Sequence, residues 1–182
     1  TAGSIKLDEA GTLATTVAMS GGTLDADETL TLSGALSQSG AITIDVASGK
    51  TLTYSGAAVS LGAYTLTMSG EGTFSNTNAL DLNNASSKLL LSSSITVDRV
   101  STSADSLGLD VDGDATVSII YVANTTPVSI ASTKTLSGAI TVSGGSIKLG
   151  EAGTLASTVS MSGGTLDADE SMTLSGALTQ GG

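Results

Sequence analysis

Apolar and polar residues alternate in short runs along most of this chain. Clear examples are 4–7, 28–32, 41–45, 64–68 and 116–119. Strict alternation is typical of β-strands with one buried face. Ser-Gly, Gly-Gly, Asn-Asn and Asp-Gly pairs separate the runs, as tight turns require. Apolar residues at helical spacing are not sustained over three turns anywhere, so the sequence predicts an all-β fold without helices.

A long internal repeat organises the chain. Residues 3–40 return at 145–182 with seven substitutions over 38 aligned positions and no gap, so that Gly3 corresponds to Gly145. Self-similarity at a fixed period is typical of elongated arrays in which each unit contacts its neighbours. We therefore expect one continuous solenoid over 1–182, in which 3–144 is one tandem unit and 145–182 begins the next copy.

A recurring phrase suggests the length of one coil. Thr-Leu-Thr-x-Ser-Gly and its variants recur around Leu30, Leu52, Leu66 and Leu136, and a step of 36 separates Leu30 from Leu66. If this step spans two coils, the coils are irregular with about 18 residues each, and one unit holds roughly seven or eight of them. Neighbouring strands about 4.8 Å apart would then give a rise of about 35 Å per unit.

Composition favours a core of small aliphatic side chains. Aromatic residues make up 2% of the chain and Trp is absent, yet the apolar fraction is 40% and the mean hydropathy is +0.30. Cys is absent, which excludes disulfides and thiolate metal sites. The net charge of −11 argues against nucleic acid and anionic membranes as partners, because Lys and Arg bind both. No apolar run approaches the roughly 20 residues that span a bilayer, so we expect no membrane insertion of this segment.

Some phrases resemble those of a known group of surface proteins. Gly-Gly-Thr-Leu at 21–24 and 163–166 and Leu-Thr-Leu-Ser-Gly at 30–34 are similar to repeats of autotransporter passengers and filamentous-haemagglutinin-like adhesins. The likeness weakens over 85–128. It implies a right-handed parallel β-helix, a β-solenoid, that is exported to the cell surface.

The function expected from this resemblance is mechanical. We expect a structural repeat block of an extracellular fibre, sheath or adhesin stalk that supplies length and rigidity. Its partners would be further copies of the same repeat, either in a longer chain or in a filament, joined end to end or laterally.

Acidic residues supply the strongest metal candidate. Asp110, Asp112 and Asp114 stand at alternate positions and offer three carboxylates to a hard cation such as calcium. Neither the glycine nor the closing glutamate of an EF-hand stands at its required position. A hydrated acidic turn that discourages edge pairing is the alternative interpretation. The acidic clusters at 25–28 and 167–170 leave the same two interpretations open.

Catalysis is not expected from these residues. The chain has no His and no Cys, and its many Ser and Thr hydroxyls therefore lack a base to activate them. The sole arginine, Arg99, follows Asp98, and we expect a surface ion pair between them rather than a catalytic role. We predict no catalytic residues and no cofactor apart from the candidate calcium.

Ice binding is one alternative function. Three Thr-x-Thr pairs would present methyl and hydroxyl groups in a flat array if they fell in register on one face, as on ice-binding solenoids: Thr29/Thr31, Thr51/Thr53 and Thr65/Thr67. Threonine also simply suits exposed strand positions. The step from the first pair to the second is longer than the step from the second to the third, and this unevenness argues against a common register.

Carbohydrate binding is the other alternative. Tyr54, Tyr64 and Phe74 would form a sugar-stacking patch if their rings were exposed together. With so few rings in the chain, packing or corner positions are the competing interpretation.

Overall fold

The computed structural model describes residues 3–181, and within that range it contains strands and no helix. The strands, in chain order, are β1 (Ser4–Leu7), β2 (Gly11–Leu13), β3 (Val17–Met19), β4 (Gly22–Ala26), β5 (Leu30–Leu32), β6 (Leu36–Gln38), β7 (Ile42–Val46), β8 (Thr51–Tyr54), β9 (Val59–Ser60), β10 (Thr65–Gly70), β11 (Thr73–Asn76), β12 (Leu80–Leu82), β13 (Lys88–Leu91), β14 (Thr96–Thr102), β15 (Gly108–Val111), β16 (Ala115–Val122), β17 (Thr126–Ile130), β18 (Thr135–Val142), β19 (Ser146–Gly150), β20 (Thr154–Leu155), β21 (Thr158–Met161), β22 (Thr165–Ala168), β23 (Thr173–Leu174) and β24 (Leu178–Gln180).

The strands stack as coils around one axis and form three faces. The first sheet has nine strands, one from each coil, in the order β1-β4-β7-β10-β13-β15-β17-β19-β22. The second sheet follows the path β2-β5-β8-β11-β14-β16-β18-β20-β23. The third face is built from β3, β6, β9, β12, β21 and β24, with the ends of β14, β16 and β18 between them. The strand pairs are parallel, so the predicted all-β parallel solenoid is confirmed.

Inward side chains form apolar ladders along the axis. Leu24, Ile44 and Met68 lie in register on successive coils and are fully buried. Leu52 and Phe74 do the same beneath the second sheet. Burying one such side chain is worth about 1.5–3 kcal/mol. The backbone N–H and C=O groups pair with the coils on either side, so no single coil is stable alone.

The coils are longer than the sequence predicts. Residues that pair on successive coils are separated by a step of 19 from Ser4 to Thr23 and by a step of 24 from Ile42 to Leu66. The estimate was too short because the Thr-Leu-Thr phrase occurs on two faces. Leu30 pairs with Leu52 in the second sheet, whereas Leu66 lies in the first sheet, so Leu30 and Leu66 do not share a ladder.

The second and third faces merge in the middle of the solenoid. β11 and β12 are separate strands, but the next coil crosses both of them with the single strand β14. Phe74 pairs with Val97. Leu80 pairs with Val100, so the corner between the two lower strands has no counterpart in β14.

A buried amide side chain fills the place of the missing corner. Asn76 is 1% exposed. Its Oδ1 accepts hydrogen bonds from the backbone N–H groups of Asp98 and Arg99 at 3.2 and 3.1 Å. Its Nδ2 donates to the carbonyl oxygens of Asn78 and Arg99, both at 2.8 Å. The backbone N–H groups of Asp98 and Arg99 and the carbonyl oxygen of Arg99 are therefore paired with a side chain and not with the backbone of the coil below.

The second copy of the repeat continues the same sheets. β19 pairs with β17 on one side and with β22 on the other. The step from Ser4 to Thr23 recurs unchanged from Ser146 to Thr165. β19 is seven strands beyond β1 in the first sheet, which agrees with the predicted number of coils per unit.

Candidate functional surfaces

Charged side chains concentrate on the outer side of the first sheet. We call this surface the charged face and define it by Lys6, Asp25, Asp45, Lys88 and Asp110. Asp25, Asp45, Lys88 and Asp110 alternate with buried residues along their strands, and Lys6 lies in register with Asp25. Lys6, Asp25 and Asp45 are stacked on three successive coils. Two like charges, Asp25 and Asp45, therefore lie directly opposite each other, an arrangement that destabilises a sheet.

Electrostatic interactions shift the pKa values of two groups on the charged face. Hydrogen bonds to Asp27 and Asp8 raise the pKa of Lys6 above its ordinary range, and the Lys6 Nζ to Asp8 Oδ1 distance is 3.1 Å. The pKa of Asp25 is raised because burial removes water from its carboxylate, and because Asp27 and Asp45 add negative charge beside it. The ionised form of Asp25 is thus less favourable in the folded chain than in a free aspartate.

The three candidate calcium ligands lie on β15 and the turn that follows it. Asp110 is on the charged face and forms an ion pair with Lys88. Asp112 is exposed, and Asp114 Oδ1 accepts a hydrogen bond from the backbone N–H of Thr135 at 2.9 Å. Among residues 3–181, no group of three or more His, Cys, Asp or Glu side chains is arranged to hold a metal ion. The calcium site at Asp110, Asp112 and Asp114 stays a prediction from spacing that the geometry does not support.

The acidic cluster at 25–28 has partners of its own. Asp27 is paired with Lys6 from the preceding coil. Glu28 Oε2 lies 2.7 Å from Lys50 Nζ of the following coil. These charges link neighbouring coils, which is consistent with the hydrated-corner interpretation of the cluster.

The ion pair predicted between Asp98 and Arg99 does not form. Asp98 instead accepts hydrogen bonds from the hydroxyls of Ser75 at 2.7 Å and Ser118 at 3.3 Å, one on each neighbouring coil. The strand does not alternate at this point, since Val97 and Val100 are both buried and Arg99 between them is exposed.

The three aromatic residues considered for sugar stacking do not form a surface patch. Tyr54 and Phe74 are 1% and 0% exposed, and their rings stack inside the solenoid with centroids 6.2 Å apart and planes at 17°. The Tyr54 hydroxyl accepts a hydrogen bond from the backbone N–H of Leu36 at 3.2 Å. Tyr64 is 38% exposed at a corner. Two of the three rings predicted for sugar stacking therefore belong to the core.

Threonine dominates the outer side of the second sheet. Thr31 pairs with Thr53, and Thr51 pairs with Thr73. Two outward columns result, which we call the threonine face: Thr12, Thr31, Thr53 and Ser75 in one, and Thr51, Thr73, Thr96 and Thr116 in the other. Asp98 follows Ser75 in the first column, where its carboxylate accepts hydrogen bonds from the hydroxyls of Ser75 and Ser118.

The predicted Thr-x-Thr pairs divide between two faces. Thr31 and Thr53 are in register, and the Thr29 hydroxyl accepts a hydrogen bond from the backbone N–H of Thr51 at 3.2 Å. Thr65 and Thr67 lie on the first sheet, where they belong to a separate array. The sequence step from Thr51/Thr53 to Thr65/Thr67 is short because it leads from the second sheet to the first sheet of the solenoid. It therefore says nothing about the register of threonines within one sheet.

Sequence reasoning missed most of the second column, which consists of threonine alone. Its members belong to phrases that differ from one another, so the Thr-Leu-Thr phrase does not reveal Thr73, Thr96 or Thr116. Beginning from Thr51, they recur once on each successive coil. A search for threonine at the spacing of one coil is the signal that finds the column.

Comparison with protein-family models, with curated proteins and with solved structures finds no match for this chain. The resemblance to autotransporter passengers and haemagglutinin-like adhesins therefore rests on the repeated phrases. Within 3–181 the structure holds no helix with the length and apolar character needed to cross a membrane.

Proposed function

We propose that this chain is a structural repeat block of an extracellular or cell-surface fibre, sheath or adhesin stalk. Its role is to supply length and rigidity. The observation that carries the proposal is the uninterrupted passage of the first sheet from one copy of the repeat into the next. The strand pairing between two units is the same as the pairing between coils within one unit. Added units therefore extend the rod without a hinge.

The burial of equivalent residues supports the same proposal. Ile147 is fully buried, whereas its counterpart Ile5 in the first copy is 40% exposed. Ile147 has a coil on either side, in β17 and β22. The core of the first coil of the second copy is thus buried at the junction, where coils of both copies lie against it.

Charge supports a role as an extended and separate rod. The net charge is −11, and each added copy increases its magnitude. Like charge on neighbouring rods opposes sideways aggregation in the absence of bridging cations. Such a rod remains soluble as it lengthens.

The proposal is tested by measuring length against copy number. Proteins with one, two and four copies of residues 3–144 are compared by negative-stain microscopy and small-angle X-ray scattering. The length is expected to rise by about 34 Å per added copy at constant width. A control with a Gly/Ser chain of equal length added to one copy gives a flexible tail instead of a longer rod. A particle that grows in all directions with copy number would contradict the proposal.

A further inference from the structure

We propose that the threonine face binds ice. This inference is independent of the fibre proposal, because it concerns one outer surface and not the continuity of the array. It rests on the in-register columns of the second sheet, which the structure brings together from six successive coils.

The spacing of the threonine face forms a two-dimensional grid. Neighbouring coils place equivalent threonines about 4.8 Å apart, and alternate residues on one strand lie about 6.6 Å apart. Thr51 and Thr53 form one row of this grid, and Thr73 and Ser75 form the next. The result is a regular lattice of hydroxyl and methyl groups with repeats in the range of those between water oxygens on the surfaces of ice.

The side chains of the threonine face are held in position. Thr31, Thr53 and Thr73 are partly buried, because each packs between its neighbours in the column. Threonine is stiff at χ1, since two heavy atoms on Cβ restrict its rotamers. Little rotamer entropy is therefore lost when an ordered layer of water forms over the grid.

The threonine face is neutral over its first four coils, from β2 to β11, unlike the charged face. A charged group such as Asp25 or Lys88 binds its own hydration shell strongly, and removing that shell is costly. On these four coils the side chains of the two columns have hydroxyl and methyl groups only, and Asp98 occupies the next place, between Ser75 and Ser118. A neutral lattice of hydrogen-bond donors and acceptors is complementary to ice. Ice is also neutral, and every water molecule in it both donates and accepts hydrogen bonds.

A carbohydrate is a poorer match to the same surface. Sugar recognition commonly relies on exposed aromatic rings beside convergent polar groups. Tyr54 and Phe74 point into the core beneath the threonine face, so their rings are not presented on it. The face offers a repeated flat grid, which suits a crystal lattice better than a single sugar chain.

The test compares substitutions on two faces of the same protein. The full chain is examined for thermal hysteresis, ice-crystal shaping and inhibition of ice recrystallisation, together with Thr53→Lys and Thr73→Lys on the threonine face. Thr67→Lys is the matched control, since Thr67 is an outward threonine on the first sheet, paired with Thr43. Circular dichroism verifies that all variants keep their β structure.

We expect the parent chain and Thr67→Lys to shape ice crystals and inhibit recrystallisation, and both threonine-face variants to lose these effects. Absence of all three effects in the parent chain would overturn the proposal. So would equal loss in Thr67→Lys. Retention of the chain by crystalline cellulose or chitin that disappears in Thr53→Lys, with no effect on ice, would overturn it in favour of a carbohydrate surface.

Discussion

At the residue scale, Asn76 combines burial with full use of its amide group. It makes four hydrogen bonds, two as donor and two as acceptor, where β14 passes over the corner of the coil below. Asn76→Ala leaves several backbone groups unpaired inside the core, and we expect a loss of about 3 kcal/mol in the free energy of unfolding. Urea denaturation measures it.

The control for this substitution is Asn78→Ala. Asn78 is exposed, and its Nδ2 donates one hydrogen bond to the carbonyl oxygen of Gly56 at 2.9 Å. Its removal is expected to cost about 0.5–1 kcal/mol. Equal costs for the two variants would contradict the role given to Asn76.

Asp25 is expected to destabilise the folded chain at neutral pH. Its pKa is raised by burial and by the neighbouring carboxylates of Asp27 and Asp45. Between the unfolded and the folded pKa the native state binds more protons, so the stability contributed by this group falls as pH rises through that window. We expect Asp25→Asn to raise the free energy of unfolding at pH 7 by about 0.2–1 kcal/mol, and the gain to vanish in acid.

Asp81→Asn is the matched carboxylate control. Asp81 accepts hydrogen bonds from the Ser101 hydroxyl at 2.9 Å and from the Ser103 N–H and hydroxyl at 3.1 and 2.6 Å. Asparagine has one acceptor oxygen in place of two and no charge, so these bonds are weakened and stability is expected to fall. Thermal melts at several pH values distinguish the two carboxylates, and stabilisation by both substitutions would contradict the account of Asp25.

The calcium prediction also belongs to the residue scale, where a melting experiment tests it. Asp110 is paired with Lys88, and Asp114 accepts from a backbone N–H, so two of the three candidate ligands are already engaged. A ligand that binds the native state raises its melting temperature. We expect equal melting temperatures in calcium and in chelator. A higher value in calcium, abolished by Asp112→Asn, would restore the site.

At the element scale, alternation was enough to predict strands but not their faces. Runs such as Lys50–Tyr54 show that one side is buried, because the side-chain period of a strand is two. The same run does not specify which sheet the strand joins, since the phrases Thr51–Tyr54 and Thr65–Gly70 are alike yet lie on different faces. Corner length decides that, and corners vary from coil to coil. The charged and threonine faces were therefore beyond prediction from local pattern.

A bulge in the second sheet makes one glycine indispensable. The register between β16 and β18 shifts between Val117 and Ile120, and Gly138 lies opposite Val117 with φ of 127°. A Cβ at Gly138 would lie 1.7 Å from the carbonyl oxygen of Val117. We expect Gly138→Ala to cost more than about 2 kcal/mol, because a backbone clash adds to left-handed strain.

Gly49→Ala separates strain from clash. Gly49 has φ of 72°, but a Cβ there would meet no atom within 4 Å. Its expected cost is about 1 kcal/mol, from conformation alone. Chemical denaturation compares the free energies of unfolding of the two variants. An equal loss would show that the backbone at the bulge moves enough to relieve the clash between a Cβ at position 138 and the carbonyl oxygen of Val117.

At the scale of the whole molecule, the long internal repeat predicted the architecture better than any motif did. Mild exchanges such as Leu30 to Met172 preserve the volume of the side chains that face the core. Two copies of one sequence with the same core side chains are expected to occupy equivalent places in the stack of coils. The period did not specify the lengths of the coils, because insertions at corners leave the ladders intact and hardly alter the alternation of residues. The estimate of seven or eight coils per unit used a coil length that was too short, and the structure has the lower number.

The central claim is that seven parallel coils separate one copy of the repeat from the next. The chain has no Cys, so Ser37→Cys and Thr179→Cys together accept two spin labels without ambiguity. Both residues are exposed, in the equivalent strands β6 and β24. Double electron–electron resonance is predicted to give one narrow distance of about 34 Å, the length of seven strand spacings. A distance of one or two strand spacings, or a broad distribution, would contradict the stacked solenoid.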